Sequence, residues 1–208
     1  MKRLVWILMV LSTVWAGQAI AGGVVGNVNL LLGSKHLDST DWRIKGVNYD
    51  QQSEVGVLFD IADDSWPVSL AVDLVGSAVK KNVKKNTSSN DYDGTGSTVE
   101  LDVGVRKIFN FPGSLLHPYV GGGLAFVTAR YEEKVSYYYY AYDNWHTQES
   151  GNGLWLNGGV YWSFWKHFNV GLDVRYSKAN VTLYDYYGKA FKVDAGGKQA
   201  GLLMGYRW

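Results

Sequence analysis

The stretch from Ser97 to Phe109 constrains the fold more than any other part of the sequence. Its odd-numbered positions are mostly apolar: Val99, Leu101, Val103, Val105, Lys107 and Phe109. Its even-numbered positions are mostly polar, charged or small: Thr98, Glu100, Asp102, Gly104, Arg106 and Ile108. A period of two places successive side chains on opposite faces of a β-strand. In a soluble sheet the apolar face is the core, whereas in a membrane barrel it meets lipid and the charged face points inward.

Seven further segments show a similar alternation: 24–35, 52–61, 68–79, 117–132, 154–162, 169–182 and 193–208. Three short turns (63–67, 110–116 and 163–167) alternate strictly with four longer connections (36–50, 80–96, 137–152 and 184–192). Transmembrane barrels show this asymmetry, with tight periplasmic turns and longer external loops. The sequence therefore predicts an all-β fold: an eight-stranded antiparallel up-and-down transmembrane β-barrel whose first and last strands pair to close the sheet.

A soluble, lipocalin-like barrel is the alternative that this pattern has to exclude. Nearly every segment has an uninterrupted apolar face of four or five residues. Aromatic residues cluster near the short-turn end, as an interfacial girdle requires: Trp66, Phe109, Tyr119, Trp162 and Trp208. Both features favour the membrane barrel.

The N-terminal residues have the pattern of a signal peptide. Lys2 and Arg3 are followed by an apolar run and by the small-residue sequence Ala19-Ile20-Ala21. We expect residues 1–21 to be a cleaved signal peptide and residues 22–208 to form the barrel domain. A retained anchor is disfavoured because the apolar run is short for a spanning helix. The sequence has no cysteine and a net charge of +1, which exclude disulfides and disfavour nucleic-acid binding.

The C-terminal sequence Gly201-Leu-Leu-Met-Gly-Tyr-Arg-Trp208 resembles the last strand that outer-membrane barrels present to their assembly machinery. Residues 117–126 and 169–177 look like strands of the porin-family barrels similar to OmpA and OmpW. The resemblance implies an outer-membrane location, an assembly signal at Tyr206 and Trp208, and lipids, lipopolysaccharide and the barrel assembly machinery as partners. It implies no cofactor and says little about activity, because such barrels have several unrelated roles.

The charged face of the predicted strands forms the interior of the barrel. It holds six acids (Glu54, Asp60, Asp73, Glu100, Asp102 and Asp173) and three arginines (Arg106, Arg175 and Arg207). Buried charges have to pair, so we predict an ion-pair network made of Asp73, Glu100, Asp102, Arg106, Asp173, Arg175 and Arg207. The network either plugs the narrow lumen or, since acids are in excess, lines a path that favours cations.

Catalysis is not predicted. Lipid A deacylases of this shape use a His-x-Ser pair on a late strand, but here Tyr176 and Ser177 occupy that region and no histidine activates the serine. The four histidines are also too far apart to form a metal site.

Two external segments have distinctive compositions. Lys80, Lys81, Lys84 and Lys85 either form a solvated loop or contact lipopolysaccharide phosphates. The second segment is aromatic: it either extends the outer girdle or hairpin, or binds a partner or glycan through amphipathic rings, and it comprises Tyr137–Tyr140, Tyr142 and Trp145. We interpret the protein as an outer-membrane barrel with a structural or surface-interaction role. The alternative is a narrow channel for small cationic or hydrophobic solutes, and a lipid A-modifying hydrolase is a distant third.

Overall fold

The computed structural model of the chain describes residues 23–37, 42–44, 47–84, 91–137, 140–165, 167–184 and 190–208. Side chains at 43–44, 83–84, 91–92, 133–137 and 140–144 are not described. The predicted signal peptide (1–21) and Lys85 therefore lie outside the described residues, as do most side chains of the tyrosine-rich segment. No helix within the described ranges is long and apolar enough to cross a membrane.

The described chain consists almost entirely of antiparallel strands. Their bounds are β1 (Val24–His36), β2 (Arg43–Ile44), β3 (Val47–Asn48), β4 (Gln51–Asp63), β5 (Ser69–Lys84), β6 (Asp91–Ile108), β7 (Leu116–Tyr137), β8 (Tyr140–Phe164), β9 (Phe168–Tyr184), β10 (Ala190–Asp194) and β11 (Gly197–Arg207). β10 and β11 both pair with β9 and form one barrel strand interrupted at Ala195 and Gly196. β2 and β3 form a separate small hairpin between β1 and β4.

The sheet closes because β1 pairs with β4 on one side and with β11 on the other. This confirms the predicted eight-stranded barrel. A row of paired residues that starts at His36 and crosses all strands returns to β1 at Gly26, a shift of ten residues (36 − 26). Strands staggered in this way tilt against the barrel axis and surround a lumen that side chains can fill.

The two faces of the sheet have the polarity of a membrane barrel. Large apolar side chains point outward and are exposed, including Leu202 and Leu154 at 64% and 65%. Asp73, Asp102 and Arg106 point inward and are fully buried. This arrangement excludes the soluble barrel, whose apolar face would be internal.

Strands extend further at the loop end than the sequence indicated. Segment 80–96, predicted as a loop, is strand up to Lys84 and again from Asp91, and most of segment 137–152 belongs to the β7–β8 hairpin. A strand needs only about ten residues to cross a membrane, and β7 and β8 have 22 and 25. Beyond the membrane neither face meets lipid, so the alternation that marks the strands disappears while the hydrogen bonding continues.

Candidate functional site: the interior of the barrel

Two arginines from opposite parts of the sheet meet at one aspartate in the middle of the lumen. Arg106 on β6 donates from Nη2 to Asp73 Oδ2 at 2.7 Å, and Arg175 on β9 donates from Nη2 to the same oxygen at 2.5 Å. Arg106 also binds Asp60 at 3.1 Å, and Arg175 binds Asp102. The guanidinium fork suits such sharing because its donors are held in one plane.

Aromatic rings pack against both guanidinium groups. Arg106 lies 5.3 Å from the ring centroid of Tyr119, and Arg175 lies 5.2 Å from that of Trp155. Tyr119 stacks on Tyr161 with 4.4 Å between centroids, and its hydroxyl donates to Asp173. Cation–π contacts of this kind gain strength away from water. Tyr119 is therefore an interior residue, and its predicted place in the interfacial girdle is wrong.

Gly159 makes room for this stack. A Cβ atom at position 159 would lie 2.1 Å from the backbone carbonyl oxygen of Leu172 and 2.5 Å from the Tyr119 hydroxyl, so a larger residue would displace both the neighbouring strand and the ring. The packing around Arg106 thus depends on a small residue in the facing strand.

A second polar cluster is centred on Lys35, which was not among the predicted interior charges. Lys35 Nζ lies 2.9 Å from Glu100 Oε2 and donates to Thr98 Oγ1 at 3.2 Å. Gln199 also donates to Glu100, at 3.2 Å. Lys35 has the same parity as Asn27 and Asn29, whose side chains are also buried in the lumen. That parity was the signal that could have identified it.

Arg207 lies outside the interior network. It is partly exposed at the short-turn end, where its Nη2 donates to Asn110 Oδ1 at 3.3 Å. The predicted membership of Arg207 is wrong because the last residue of β11 reaches only the rim of the barrel. There it lines a cavity of about 250 Å³ together with Lys107, Asp60 and Asn27.

The turn beside that rim is locally ordered. The Ser65 hydroxyl and amide both donate to Asp63 Oδ1, and these hydrogen bonds lower the pKa of the Asp63 carboxyl group.

A large apolar cluster lies in the outer part of the lumen. Leu37, Trp42 and Tyr49 from the β1–β4 connection are buried there. They join a cluster that includes Val127, Tyr131, Trp155, Val181, Leu183 and Val193. Trp42 Nε1 donates to the carbonyl oxygen of Asp194 at 2.9 Å. Leu37, Trp42 and Tyr49 belong to segment 36–50, which was predicted as a polar external loop, and they pack instead inside the mouth of the barrel.

Acidic groups remain in excess inside. Among the described residues, six buried carboxyl groups face three buried cations, namely Lys35, Arg106 and Arg175. Neither carboxylate oxygen of Glu54 has a hydrogen-bond partner within the described part of the chain. The charges of Lys35 and Arg175 attract this carboxylate, whereas those of Glu100 and Asp173 repel it.

The remaining candidate residues are placed as follows. Ser177 is fully buried in the lumen and accepts a hydrogen bond from Gln199 at 3.4 Å. Lys80 and Lys81 are exposed at the outer end of β5, and Lys80 lies 3.5 Å from Asp93. Within the described ranges, no three His, Cys, Asp or Glu side chains are placed to hold a metal ion.

No family model matches the sequence, and no curated protein matches it either. Solved structures do match. OprG from Pseudomonas aeruginosa, an outer membrane protein, is 14% identical with a TM-score of 0.55; the match covers 90% of this chain and 96% of that one. Ail of Yersinia pestis, the attachment invasion locus protein, is 11% identical with a TM-score of 0.54, over 90% of this chain and 100% of that one.

The chain has the fold of the small eight-stranded outer-membrane β-barrels. The exposed apolar belt and the closed sheet fit this fold, since lipid offers no partners for open strand edges. This fold and the exposed apolar belt support the predicted location in an outer membrane.

Proposed function

We propose that this outer-membrane barrel is sealed, and that its role is structural or exerted at its surface rather than through transport. The observation that carries the proposal is the bridge Arg106–Asp73–Arg175, which joins β6, β5 and β9 across the lumen. An eight-stranded barrel has just enough interior for side chains to fill it, so a bridge at this level leaves no continuous water path.

The apolar residues of the outer mouth support the same conclusion. Trp42 is fully buried and anchored to Asp194, above the level of the arginines. An ion that entered from outside would first have to displace this ring and then break buried ion pairs. The first step exposes a buried ring and breaks its hydrogen bond, and the second leaves charged groups without partners, so both are costly.

The surface role rests on the parts of the chain outside the membrane. The β7–β8 hairpin extends well beyond the span that lipid requires, and outer-facing lysines lie near the anionic headgroups. Ail was solved in complex with a heparin analogue, sucrose octasulfate. For the present chain we propose contact with lipopolysaccharide, assembly by the barrel assembly machinery through Tyr206 and Trp208, and removal of residues 1–21 as a signal peptide. The extracellular partner is unidentified.

We propose no enzymatic activity. Ser177, the residue at the position of a deacylase serine, is buried among Gln199 and Glu100 rather than exposed to lipid. A hydroxyl group with no imidazole beside it has no base to activate it.

A narrow channel for small cations is the second candidate. The excess of interior carboxyl groups, and Glu54 above all, favours it. A channel for small hydrophobic solutes has less support. A hydrophobic solute that passed the apolar mouth would next meet the charged network.

Conductance in a planar bilayer separates the two candidates. We expect the purified wild-type barrel to show no discrete current steps in salt solution. The variant Trp42→Ala/Arg106→Ala/Arg175→Ala should conduct, because both the ring that closes the mouth and the bridge below it are gone. Cation-selective steps from the wild type would contradict the sealed barrel and establish the channel.

A further inference from the structure

A row of basic residues lies on the outward face of the barrel where the sheet closes. His36 on β1 is paired with Lys198 on β11, and Lys198 is paired with Tyr176 on β9. Lys178 follows Tyr176 by two positions and so shares its outward face. His36, Lys198 and Lys178 are all exposed, and diagonal neighbours of this kind lie about 7–8 Å apart.

The two lysines lie at the outer edge of the lipid-facing belt. Lys178 is paired directly with Leu154, an outward leucine that is 65% exposed. Lys198 is paired with the exposed ring of Tyr176. Each ammonium group can therefore reach the headgroup layer while its aliphatic stem lies against apolar surface.

Lys80, which was predicted to contact lipopolysaccharide, differs in this respect, and so does the outward Arg130. Lys80 is paired with the polar residue Thr95, and the outward Arg130 with Ser97. These positions lie further from the apolar belt. β5 and β9 are also four strands apart around the barrel, so Lys80 and Lys178 lie on opposite sides.

The presence of acidic partners also distinguishes Lys80 and Arg130 from Lys178 and Lys198. Lys80 lies 3.5 Å from Asp93, and Arg130 forms an ion pair with Glu132. Within the described part of the chain, neither Lys178 nor Lys198 has an acidic partner. His36 faces Asp50 at 3.6 Å, so the two lysines supply the uncompensated positive charge.

From this row toward the middle of the membrane, the outward surface has the shape and polarity to hold an acyl chain. The outward side chains next to Lys198 are small, Ser34 and Ala200, and further down are Leu32 and Leu202. An apolar groove of about 470 Å³ begins there, lined among others by Leu30, Leu32, Leu172, Leu202 and Met204. From Lys198 to Leu202 the strand covers about 13 Å, a distance that a saturated acyl chain spans.

We propose that Lys178 and Lys198 bind a phosphate group of lipid A, the phosphorylated and acylated base of lipopolysaccharide. One acyl chain lies past Ala200 toward the groove that begins at Leu202. This inference rests on the proposed surface role of the barrel and names the site of its lipopolysaccharide contact. It moves that contact from β5 to the β1–β11–β9 face. Two ammonium groups suit a phosphate as point charges, and an anionic headgroup layer strengthens their attraction.

Lipid retention on the folded barrel tests the site. The probes are bisphosphorylated lipid A, the same lipid without its phosphates, and phosphatidylglycerol, each detected as adducts by native mass spectrometry. The test variant is Lys178→Gln/Lys198→Gln, and the matched control is Lys80→Gln/Lys81→Gln. All four substitutions are at exposed positions, and heat-modifiable migration in gels verifies that each variant is folded. We expect the test variant to bind bisphosphorylated lipid A at least tenfold more weakly than the wild type, and the control to bind it unchanged.

The other outcomes overturn the site. Unchanged lipid A binding by the test variant would exclude Lys178 and Lys198. Loss in the control variant alone would return the contact to β5 and leave the surface role intact. Equal retention of phosphatidylglycerol or of dephosphorylated lipid A would overturn the assignment to lipid A phosphate. A conducting wild-type barrel would instead contradict the proposed function, so the two failures are distinguishable.

Discussion

Asp73 connects the interior charge network, because one of its carboxylate oxygens is shared by two guanidinium groups. Arg106 and Arg175 approach it from different strands, and each also binds a second aspartate. All of these groups are buried, so their desolvation is offset only by their mutual contacts. Removing one member therefore costs more than the loss of a single hydrogen bond.

We expect Arg175→Met to destabilise the barrel by about 3–5 kcal/mol, since Asp102 would lose its arginine and remain buried. Urea unfolding in lipid vesicles measures the change. Adding Asp102→Leu to Arg175→Met should recover part of the loss, which a double-mutant cycle would quantify. The matched control is Arg130→Met, which removes an exposed arginine with a glutamate partner and should cost only about 0–1 kcal/mol. Equal effects of the two single substitutions would contradict the buried network.

At this scale, alternation along the strands predicted which side of the sheet most charged residues face. The structure brings Asp73, Asp102, Arg106, Asp173 and Arg175 together, and places Glu100 with Lys35 instead. Alternation assigns a face but not a height along the barrel axis. For that reason the sequence could not show that Arg207 stops at the rim, nor which acid each arginine binds.

The height of Lys35 along the barrel axis was likewise not predictable from alternation. Its strand ends in polar residues, where the boundary between membrane and loop is not visible in the sequence. The stagger between strands, which only the pairing register reveals, brings it level with Glu100 on β6.

At the scale of a strand, depth in the membrane decides what a position tolerates. Val99 and Val103 both point outward on β6 and are 52% and 42% exposed. Val103 is paired with Val72 and Leu124, whereas Val99 is paired with Gly76 and Thr128, closer to the outer end. Replacing each valine by arginine therefore compares the cost of a charge at two depths on the same face of the sheet.

We expect Val103→Arg to cost about 2–4 kcal/mol and Val99→Arg about 0–1 kcal/mol, because a charge is least tolerated near the bilayer midplane. Unfolding free energies in vesicles compare the two variants, which serve as controls for each other. A larger cost at Val99 would mean that the lipid-facing belt has been placed at the wrong height.

Strand ends were less predictable than strand centres. In the β7–β8 hairpin the residues beyond the membrane include charged and aromatic types on both faces, so the period of two is lost. The β1–β4 connection was misjudged for a related reason. Leu37, Trp42 and Tyr49 are separated mostly by polar residues, and only the closed barrel brings them into one apolar cluster.

At the scale of the whole molecule, closure of the sheet is what makes the chain compatible with lipid. The seam between β1 and β11 runs from Asn27 and Arg207 to His36 and Lys198 without a break. Turn lengths and the number of alternating segments were enough to predict this closure. The stagger of ten residues was not predictable, because it depends on the register of every pair of strands at once.

Closure also depends on the two aromatic residues at the end of the seam. Tyr206 is paired with Val28 and stacks on His167, with 5.2 Å between ring centroids. The Trp208 amide donates to the carbonyl oxygen of Gly26 at 3.1 Å, and its ring lies 6.0 Å from that of Phe59. These contacts hold the last strand against the first two strands of the barrel.

We expect Tyr206→Ser/Trp208→Ser to be exported normally but to fail in stable assembly, because the closing strand loses its anchors and its aromatic end. The matched control, Trp162→Ser/Tyr176→Ser, removes one tryptophan and one tyrosine from the same outward face but leaves the last strand intact. Heat-modifiable, protease-resistant protein in isolated outer membranes measures assembly, and its amount should fall sharply only in the first variant. Normal amounts of folded protein from Tyr206→Ser/Trp208→Ser would show that the aromatic end of β11 is dispensable. A comparable fall in the control would show that any loss of girdle aromatics, rather than the closing strand, limits assembly.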